Sequence, residues 1–310
     1  MDIIRSFGED NSFPTTCVAT IGFFDGVHRG HQFLIEEVKE LAFSRQFNSL
    51  LLTFPEHPRR VIHDEYQPML LTTLDEKLVQ LSKTDVDYCA LLPFSREIAQ
   101  LTACEFMEKI LYTRFHVRVL VIGYDHRFGH NRDEGFDDYV HYGREIGMEV
   151  VQARECRVGG LKISSSVVRT YLLKGDVEQA AFCLGRPYQI SGMVVEGHRV
   201  GRTIGFPTAN MFPENEQKLI PVSGVYAVRV KVRECIFAGM LNIGVRPTFN
   251  NGSEKTIEVH LLNFEGDLYG TSIEVFFIKY LRGEQKFDSA EDLMIQLQKD
   301  REIIKKIILL

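Results

Sequence analysis

Hydrophobic periodicity changes once along this chain, near residue 184, and one repeating architecture cannot hold both patterns. Upstream, nearly continuous apolar runs at 17–24, 49–54, 88–94 and 118–122 alternate with segments of helical spacing. Runs without a polar face fit strands of a parallel sheet covered on both sides. Between the first two, Leu34, Val38 and Leu41 recur at i, i+4 and i+7 and predict a helix over 31–45. Helices are also predicted over 102–115 and 136–146. Downstream, Tyr226, Val228, Val230 and Val232 alternate with Ala227, Arg229 and Lys231. Ile257, Val259 and Leu261 alternate with Glu258 and His260, and Ile273, Val275 and Phe277 continue the pattern. Period two with one polar face predicts antiparallel strands in a barrel or sandwich. A final helix is predicted from Asp288-Ser289-Ala290-Glu291, which reads as a capping box, and from the stripe Leu293, Leu297 and Ile304.

Gly185 and Pro187 stop the helix before the change of pattern, so two domains are expected, residues 1–184 (α/β, doubly wound and Rossmann-like) and 185–310 (all-β). A length of 310 residues gives each its own core. The net charge of −6 argues against nonspecific nucleic-acid binding, which favours basic surfaces. Phosphate sites need only local donors, so the charge leaves nucleotide enzymes open. Cys17, Cys89, Cys104, Cys156, Cys183 and Cys235 are scattered with no C-x-x-C spacing. They read as reduced thiols of a cytoplasmic protein. The N-terminal residues carry no apolar signal core, and no run is long enough to span a membrane.

Two constellations carry chemistry. Gly22-Phe23-Phe24-Asp25-Gly26-Val27-His28-Arg29-Gly30-His31 follows a predicted strand and opens a predicted helix. There, free N–H groups and the positive dipole end attract phosphate, and histidines three apart face one ligand. Ile163-Ser164-Ser165-Ser166-Val167-Val168-Arg169 offers hydroxyls, a helix start and a guanidinium as a second anion site. Further on, Gly197-His198-Arg199-Val200-Gly201-Arg202-Thr203-Ile204-Gly205-Phe206-Pro207-Thr208-Ala209-Asn210 is glycine-rich and ends in two hard oxygen donors, Thr208 and Asn210. Such donors suit Mg²⁺, and the absence of Gly-Lys-Ser/Thr excludes a Walker loop.

H-x-G-H in this setting resembles the nucleotidylyltransferases, and I-S-S-x-x-x-R resembles their second motif. G-x-P-T-A-N resembles riboflavin kinase. So do Gly224-Val225-Tyr226, Asn242-Ile243-Gly244-Val245-Arg246-Pro247-Thr248-Phe249, Ile257-Glu258-Val259-His260 and Leu268-Tyr269-Gly270. Together, over almost the whole chain, they resemble the bifunctional bacterial riboflavin kinase/FAD synthetases. The resemblance implies an N-terminal domain that adenylylates FMN and a C-terminal antiparallel β-barrel that phosphorylates riboflavin. ATP, riboflavin, FMN and FAD are then substrates or products, and Mg²⁺ is the cofactor.

It assigns catalytic roles to His28, His31, Arg169 and Glu258, the last as the base for a neutral alcohol. ATP contacts fall on Gly22, Phe24, Asp25, Gly26, His28, His31, Ser164, Ser165 and Arg169, and, in the second half, on Gly197, Gly201, Gly205, Thr208 and Asn210. Flavin contacts fall on His57, Asp125, Phe128, Glu258 and Arg282, and metal contacts on Thr208 and Asn210. Phe128 and Phe249 read as core more than as flavin-stacking residues. The chain departs from the family at Phe23, where asparagine is usual, at Phe54-Pro55-Glu56-His57-Pro58, and at Asp125-His126. Two readings compete with the bifunctional enzyme: a flavin-binding protein with degenerate sites, and a kinase with an impaired adenylyltransferase. No nucleic-acid or membrane partner is expected, and both a monomer and a weak homo-oligomer remain open.

Overall fold

The computed structural model describes residues 1–310 except 6–12, 14, 63, 64, 66, 125, 131, 132, 197–204, 248–252, 309 and 310. Its contacts divide the chain into two compact units, Met1–Ser164 and Ser165–Leu310. The change in sequence pattern near 184 marks where helices give way to barrel strands. The contact division falls earlier because two short helices, α7 (Ser165–Leu173) and α8 (Val177–Leu184), cluster with the barrel.

The first unit is a six-stranded parallel sheet in the order β1-β4-β3-β2-β5-β6, as strand–helix alternation requires. The strands are β1 (Asp2–Ile4), β2 (Cys17–Ile21), β3 (Asn48–Thr53), β4 (Tyr88–Leu91), β5 (Val117–Ile122) and β6 (Glu149–Gln152); a separate two-stranded sheet, β7 (Arg157–Val158) and β8 (Leu161–Lys162), follows. The four inner strands are the four apolar runs. The edge strands have no such run: β1 is three residues long, and β6 carries exposed Glu149 and Gln152. Side chains alternate between two cores. Cys17, Ala19 and Ile21 pack with Phe106, Met107, Leu111 and Tyr139, while Val18 packs with Val38 and Ala42 of α1 (Arg29–Arg45). The helices α2 (Pro58–Ile62), α3 (Leu74–Ser82) and α4 (Arg96–Gln100) lie between β3 and β5 in sequence.

The helix expected over 102–115 departs from ideal geometry. A capped turn, α5 (Ala103–Glu105), runs into a π-helix at Phe106–Arg114 that closes with Phe115 N–H donating to Ile110 O at 3.1 Å. Wider turns bring Met107, Leu111 and Phe115, each four residues apart, onto the same buried core. Helix α6 (Phe136–Ile146) forms where periodicity places it and ends at Gly147 with φ 77°.

The second unit contains a closed antiparallel barrel, β10-β13-β12-β11-β14-β9, which leaves no open edge. Its strands are β9 (Tyr188–Val195), β10 (Ala209–Pro213), β11 (Gly224–Val232), β12 (Cys235–Pro247), β13 (Ser253–Leu261) and β14 (Ser272–Arg282). Tyr226, Val228, Val230, Ile257, Val259, Ile273, Val275 and Phe277 are buried, as the alternation predicts. The opposite face is not uniformly solvated. Phe206, Val225, Ala227, Ala238, Met240 and Leu262 form a second buried layer with Ile304 and Leu297 of α9 (Ala290–Ile308). That layer is the reason His260 is only 8% exposed despite alternating with apolar residues. The cap of α9 sits one residue beyond the expected box: Ser289 Oγ accepts from Asp292 N–H at 3.1 Å.

Gly224, with φ 146°, lets β11 approach β14: a Cβ there would lie 2.6 Å from the Arg282 carbonyl oxygen. No helix among the described residues is long and apolar enough to cross a membrane.

Candidate functional site

In the first unit the loop from β2 to α1 is held in an unusual shape. Phe24 (φ 54°), Gly26 (φ 80°) and Val27 (φ 40°) are left-handed, and two of them carry side chains that disfavour this region. Buried contacts compensate. Phe24 and Val27 are 2% and 1% exposed. The Asp25 carboxylate, also buried, accepts from Leu71 N–H, Thr72 N–H and Thr72 Oγ1–H at 3.0–3.2 Å, and Gly26 N–H donates to Thr72 Oγ1. Asp25 thus ties the loop to residues 71–72, and its carboxylate lies inside the protein.

This clamp sets the start of α1. His28 is the N-cap, and its Nδ1 accepts from His31 N–H at 3.2 Å. The two imidazoles stack at a centroid distance of 3.6 Å and 17°, and Phe24 packs edge-on against His31 at 5.2 Å. Burial, reinforced by His28, His126 and Lys77, pushes the His31 pKa well below the usual histidine range. His31 is therefore neutral at pH 7. Its Nδ1 is buried and has no hydrogen-bond partner among the described residues. Gly30 makes room for the next segment: a Cβ there would meet the His28 ring at 3.2 Å and the Ile163 carbonyl oxygen at 3.3 Å. The Ile163 backbone thus reaches the first turn of α1, with Ser164 next in the chain. Ser165 and Arg169 belong to α7 in the second unit.

Lys77 is the residue that sequence reading misses. It is 2% exposed, and its ammonium donates to Phe23 O (3.1 Å), Thr53 Oγ1 (3.2 Å) and Phe54 O (2.8 Å). Its spacing from Leu74 (i−3) and Leu81 (i+4) puts it on the inward stripe of α3, and a lysine on such a stripe is the signal. Phe23, one family departure, touches His57 edge to face at 4.7 Å, and His57 follows directly on the Pro55-Glu56 departure. His57 Nδ1 also accepts from Arg59 N–H at 3.2 Å. Phe128 stacks on Tyr139 at 4.4 Å and lines an apolar niche of about 60 Å³ with Ile21, Phe54, Phe94 and Phe106. Asp125 lies outside the described residues. His126 donates its N–H to Gly123 O at 2.9 Å.

In the second unit, strand register builds the site. Four successive pairings run across the barrel at one level: Asn210 (β10) with Glu258 (β13), Glu258 with Asn242 (β12), Asn242 with Val225 (β11), and Val225 with Arg282 (β14). Directly paired residues share a face, so Asn210, Glu258 and Asn242 form one polar row. Two cavities lie nearby: the smaller takes Asn242 and Glu258 of the row into its lining, and the larger takes Ala209 and Val259 of the opposite face. One of about 820 Å³ is lined by Glu196, Pro207, Thr208 and the 264–269 loop. The other, about 360 Å³, is lined by Phe206, Met240, Asn242, Glu258, Arg282 and Leu297. Thr208 lines both. His260 Nδ1 lies 2.9 Å from Pro207 O, and burial holds its pKa below the usual range, so the ring is neutral at pH 7 and donates this bond.

Arg282 borders the second cavity with its charge already balanced. It donates to Asp300 of α9 at 2.8 and 3.0 Å, and Gln296 also donates to that carboxylate. Over Gly244, Thr256 Oγ1, Glu284 Oε1 and Asn242 Nδ2 converge within 3.5 Å of where a Cβ would stand, so a side chain there would displace them. Gly205 is left-handed (φ 79°) and exposed. Gly197 and Gly201 lie outside the described residues, as do Thr248 and Phe249.

Comparison with known proteins agrees with this two-part geometry. The FAD synthetase family profile matches residues 10–167, and the riboflavin kinase profile matches 184–308. A bifunctional riboflavin kinase/FMN adenylyltransferase from Haemophilus influenzae is 37% identical over 98% of each chain. That of Escherichia coli K12 is 40% identical over 97% of this chain and 96% of its own. A crystal structure described as a macrolide-efflux protein from Streptococcus pneumoniae superimposes with a TM-score of 0.89, at 32% identity over 98% of both chains. With both profiles matched in order, and relatives aligned almost end to end, the chain belongs to the bifunctional riboflavin kinase/FMN adenylyltransferase family.

Proposed function

We propose that the chain makes FAD in two ATP-dependent steps, phosphorylating riboflavin in the second unit and adenylylating the resulting FMN in the first. The observation that carries the kinase is the junction of the two cavities. Thr208 lines both, and Asn210 and Glu258 face each other beside it. The larger cavity suits a nucleotide, and the smaller, walled by Phe206, Met240 and Leu297, suits a flavin ring. At the junction, Glu258 accepts the proton of the riboflavin 5′-hydroxyl as its oxygen attacks the γ-phosphorus and ADP departs.

The donor set fits Mg²⁺, since Thr208 and Asn210 supply neutral oxygens and Glu258 stands across from Asn210. Bound there, Mg²⁺ would neutralise charge on the phosphates. Asn242 is the strand partner of Glu258 on the other side and lines the smaller cavity with it.

The first unit has a different task. The FMN phosphate is already anionic, so attack on the α-phosphorus of ATP needs alignment and positive potential rather than a base. The α1 N-terminus supplies both, with His28 and His31 contacting the polyphosphate and the departing pyrophosphate. Phe128 and its aromatic neighbours give the flavin ring an apolar edge to rest on. The six cysteines, none of them in a disulfide, support a reducing, cytoplasmic setting.

Labelled nucleotide separates the two reactions. With riboflavin, Mg²⁺ and ATP labelled at the γ-phosphate, label enters FMN and then FAD. With ATP labelled at the α-phosphate, label enters FAD alone. Flavin bound without transfer of either label would refute the reading.

A further inference from the structure

The positive potential of the first site has an interior source. With His31 neutral at pH 7, the buried cation beside this loop is the Lys77 ammonium. It is 2% exposed, and its three N–H bonds are all used within the protein. Two of the acceptors, the carbonyls of Phe23 and Phe54, lie just past the C-terminal ends of β2 and β3. These are the strands followed by His28 and the α1 start with His31 in one case and by His57 in the other. The ammonium also stands 4.2 Å from the centroid of the Phe23 ring.

A buried ammonium is costly, and an amide or a water could satisfy the same carbonyls. Its charge acts strongly in a low-dielectric interior: it lowers the affinity of His31 for a proton, and the same field attracts phosphate. The groups that face it are Asp25 from the loop after β2, Cys89 from β4 and His31 from α1.

We infer that Lys77 is a positioning residue for adenylyl transfer, pinning the ends of β2 and β3 together and giving the phosphate site its interior positive charge. The inference rests on the adenylyltransferase reading of the first unit. Burial draws the Lys77 pKa down to about 8, so its charge is lost in an accessible range. The phosphates of ATP and FMN are fully ionised there and contribute no titration of their own.

The test uses the full chain as wild type, Lys77→Gln and Lys77→Met, with added FMN and MgATP from pH 6.5 to 9.5. Thermal unfolding of the same samples reports folding of the first unit, and riboflavin phosphorylation serves as the control for the second. Wild-type FAD formation is expected to decline as pH passes about 8, the pKa of the buried ammonium. Lys77→Gln keeps a donor but no charge. It is expected to raise KM for ATP about tenfold, the effect of one partly screened charge, and to lose the alkaline decline. Lys77→Met is expected to lose more kcat than Lys77→Gln, because the carbonyls lose their donor as well. Variants matching wild type in KM, kcat and pH profile would overturn the inference. If both variants fail to fold, the wild-type profile decides, and a flat profile through pH 9.5 overturns it. Absence of FAD from the wild type at every pH would remove the adenylyltransferase reading itself, and this inference with it.

Discussion

The two units reach a phosphate-handling site by opposite means. In the first, the site is a loop held from beneath. Left-handed residues, the Asp25 clamp and the Lys77 tie are all buried and fix the backbone that presents His28 and His31. In the second, β-sheet register is sufficient. Asn210, Glu258 and Asn242 are neighbours because their strands pair at those residues, and alternation turns them to one face. The first site therefore depends on buried contacts beneath its loop, and the second mainly on residues that line its cavities.

That contrast can be broken by substitution, with effects of decreasing size. Glu258→Gln removes the proposed base while the barrel keeps its shape, so riboflavin phosphorylation should fall about 10³-fold with near-normal ATP binding. Initial rates with each flavin as sole substrate measure this. His28→Ala should lower FAD formation about 10²-fold, in line with loss of one preorganised donor, with FMN production unchanged. Asp25→Ala should act through stability. It strands buried donors at residues 71 and 72 and should cost about 3 kcal/mol, read as a lower midpoint of thermal unfolding.

Asp300→Asn sharpens the comparison from the other side. It leaves Arg282 without its counter-charge, and because that side chain is 15% exposed the cost should be about 2 kcal/mol rather than the full buried-pair value. A raised KM for riboflavin would accompany it, since Arg282 borders the smaller cavity.

The last effect, spread over several pH units, is a pH dependence of opposite sign to the activity. The Lys77 pKa is about 8 in the folded state against 10.5 for an ordinary lysine. Between those values the unfolded chain binds the proton and the folded chain does not, so the stability of the wild type should rise with pH relative to Lys77→Met. Loss of FAD synthesis alongside gained stability would separate loss of charge from unfolding.

Much of this was legible beforehand because it is written in local pattern. The inner strands of the sheet are apolar runs, the barrel strands alternate, and H-x-G-H and P-T-A-N each sit on one short stretch of chain. What was not legible depends on partners distant in sequence. The edge strands β1 and β6 lack an apolar run because only one side of each is paired. The π-helix at Phe106–Arg114 looks helical by spacing, and only packing against the sheet shows its wider turn. Asp25 reads as part of a nucleotide motif, yet its carboxylate is taken up by residues 46 and 47 positions away. Asn242 gains significance only when register sets it opposite Glu258, 16 residues further along. Lys77 carried a usable signal, a charge on an apolar stripe, and its partners complete the meaning.

The most direct test of the account crosses two variants with two flavins. Given MgATP, Glu258→Gln should convert added FMN to FAD at the wild-type rate and leave riboflavin unchanged. His28→Ala should convert riboflavin to FMN and stop there. Loss of both reactions from either single substitution, or FAD formed from riboflavin by either variant at the wild-type rate, would contradict two separate centres on one chain.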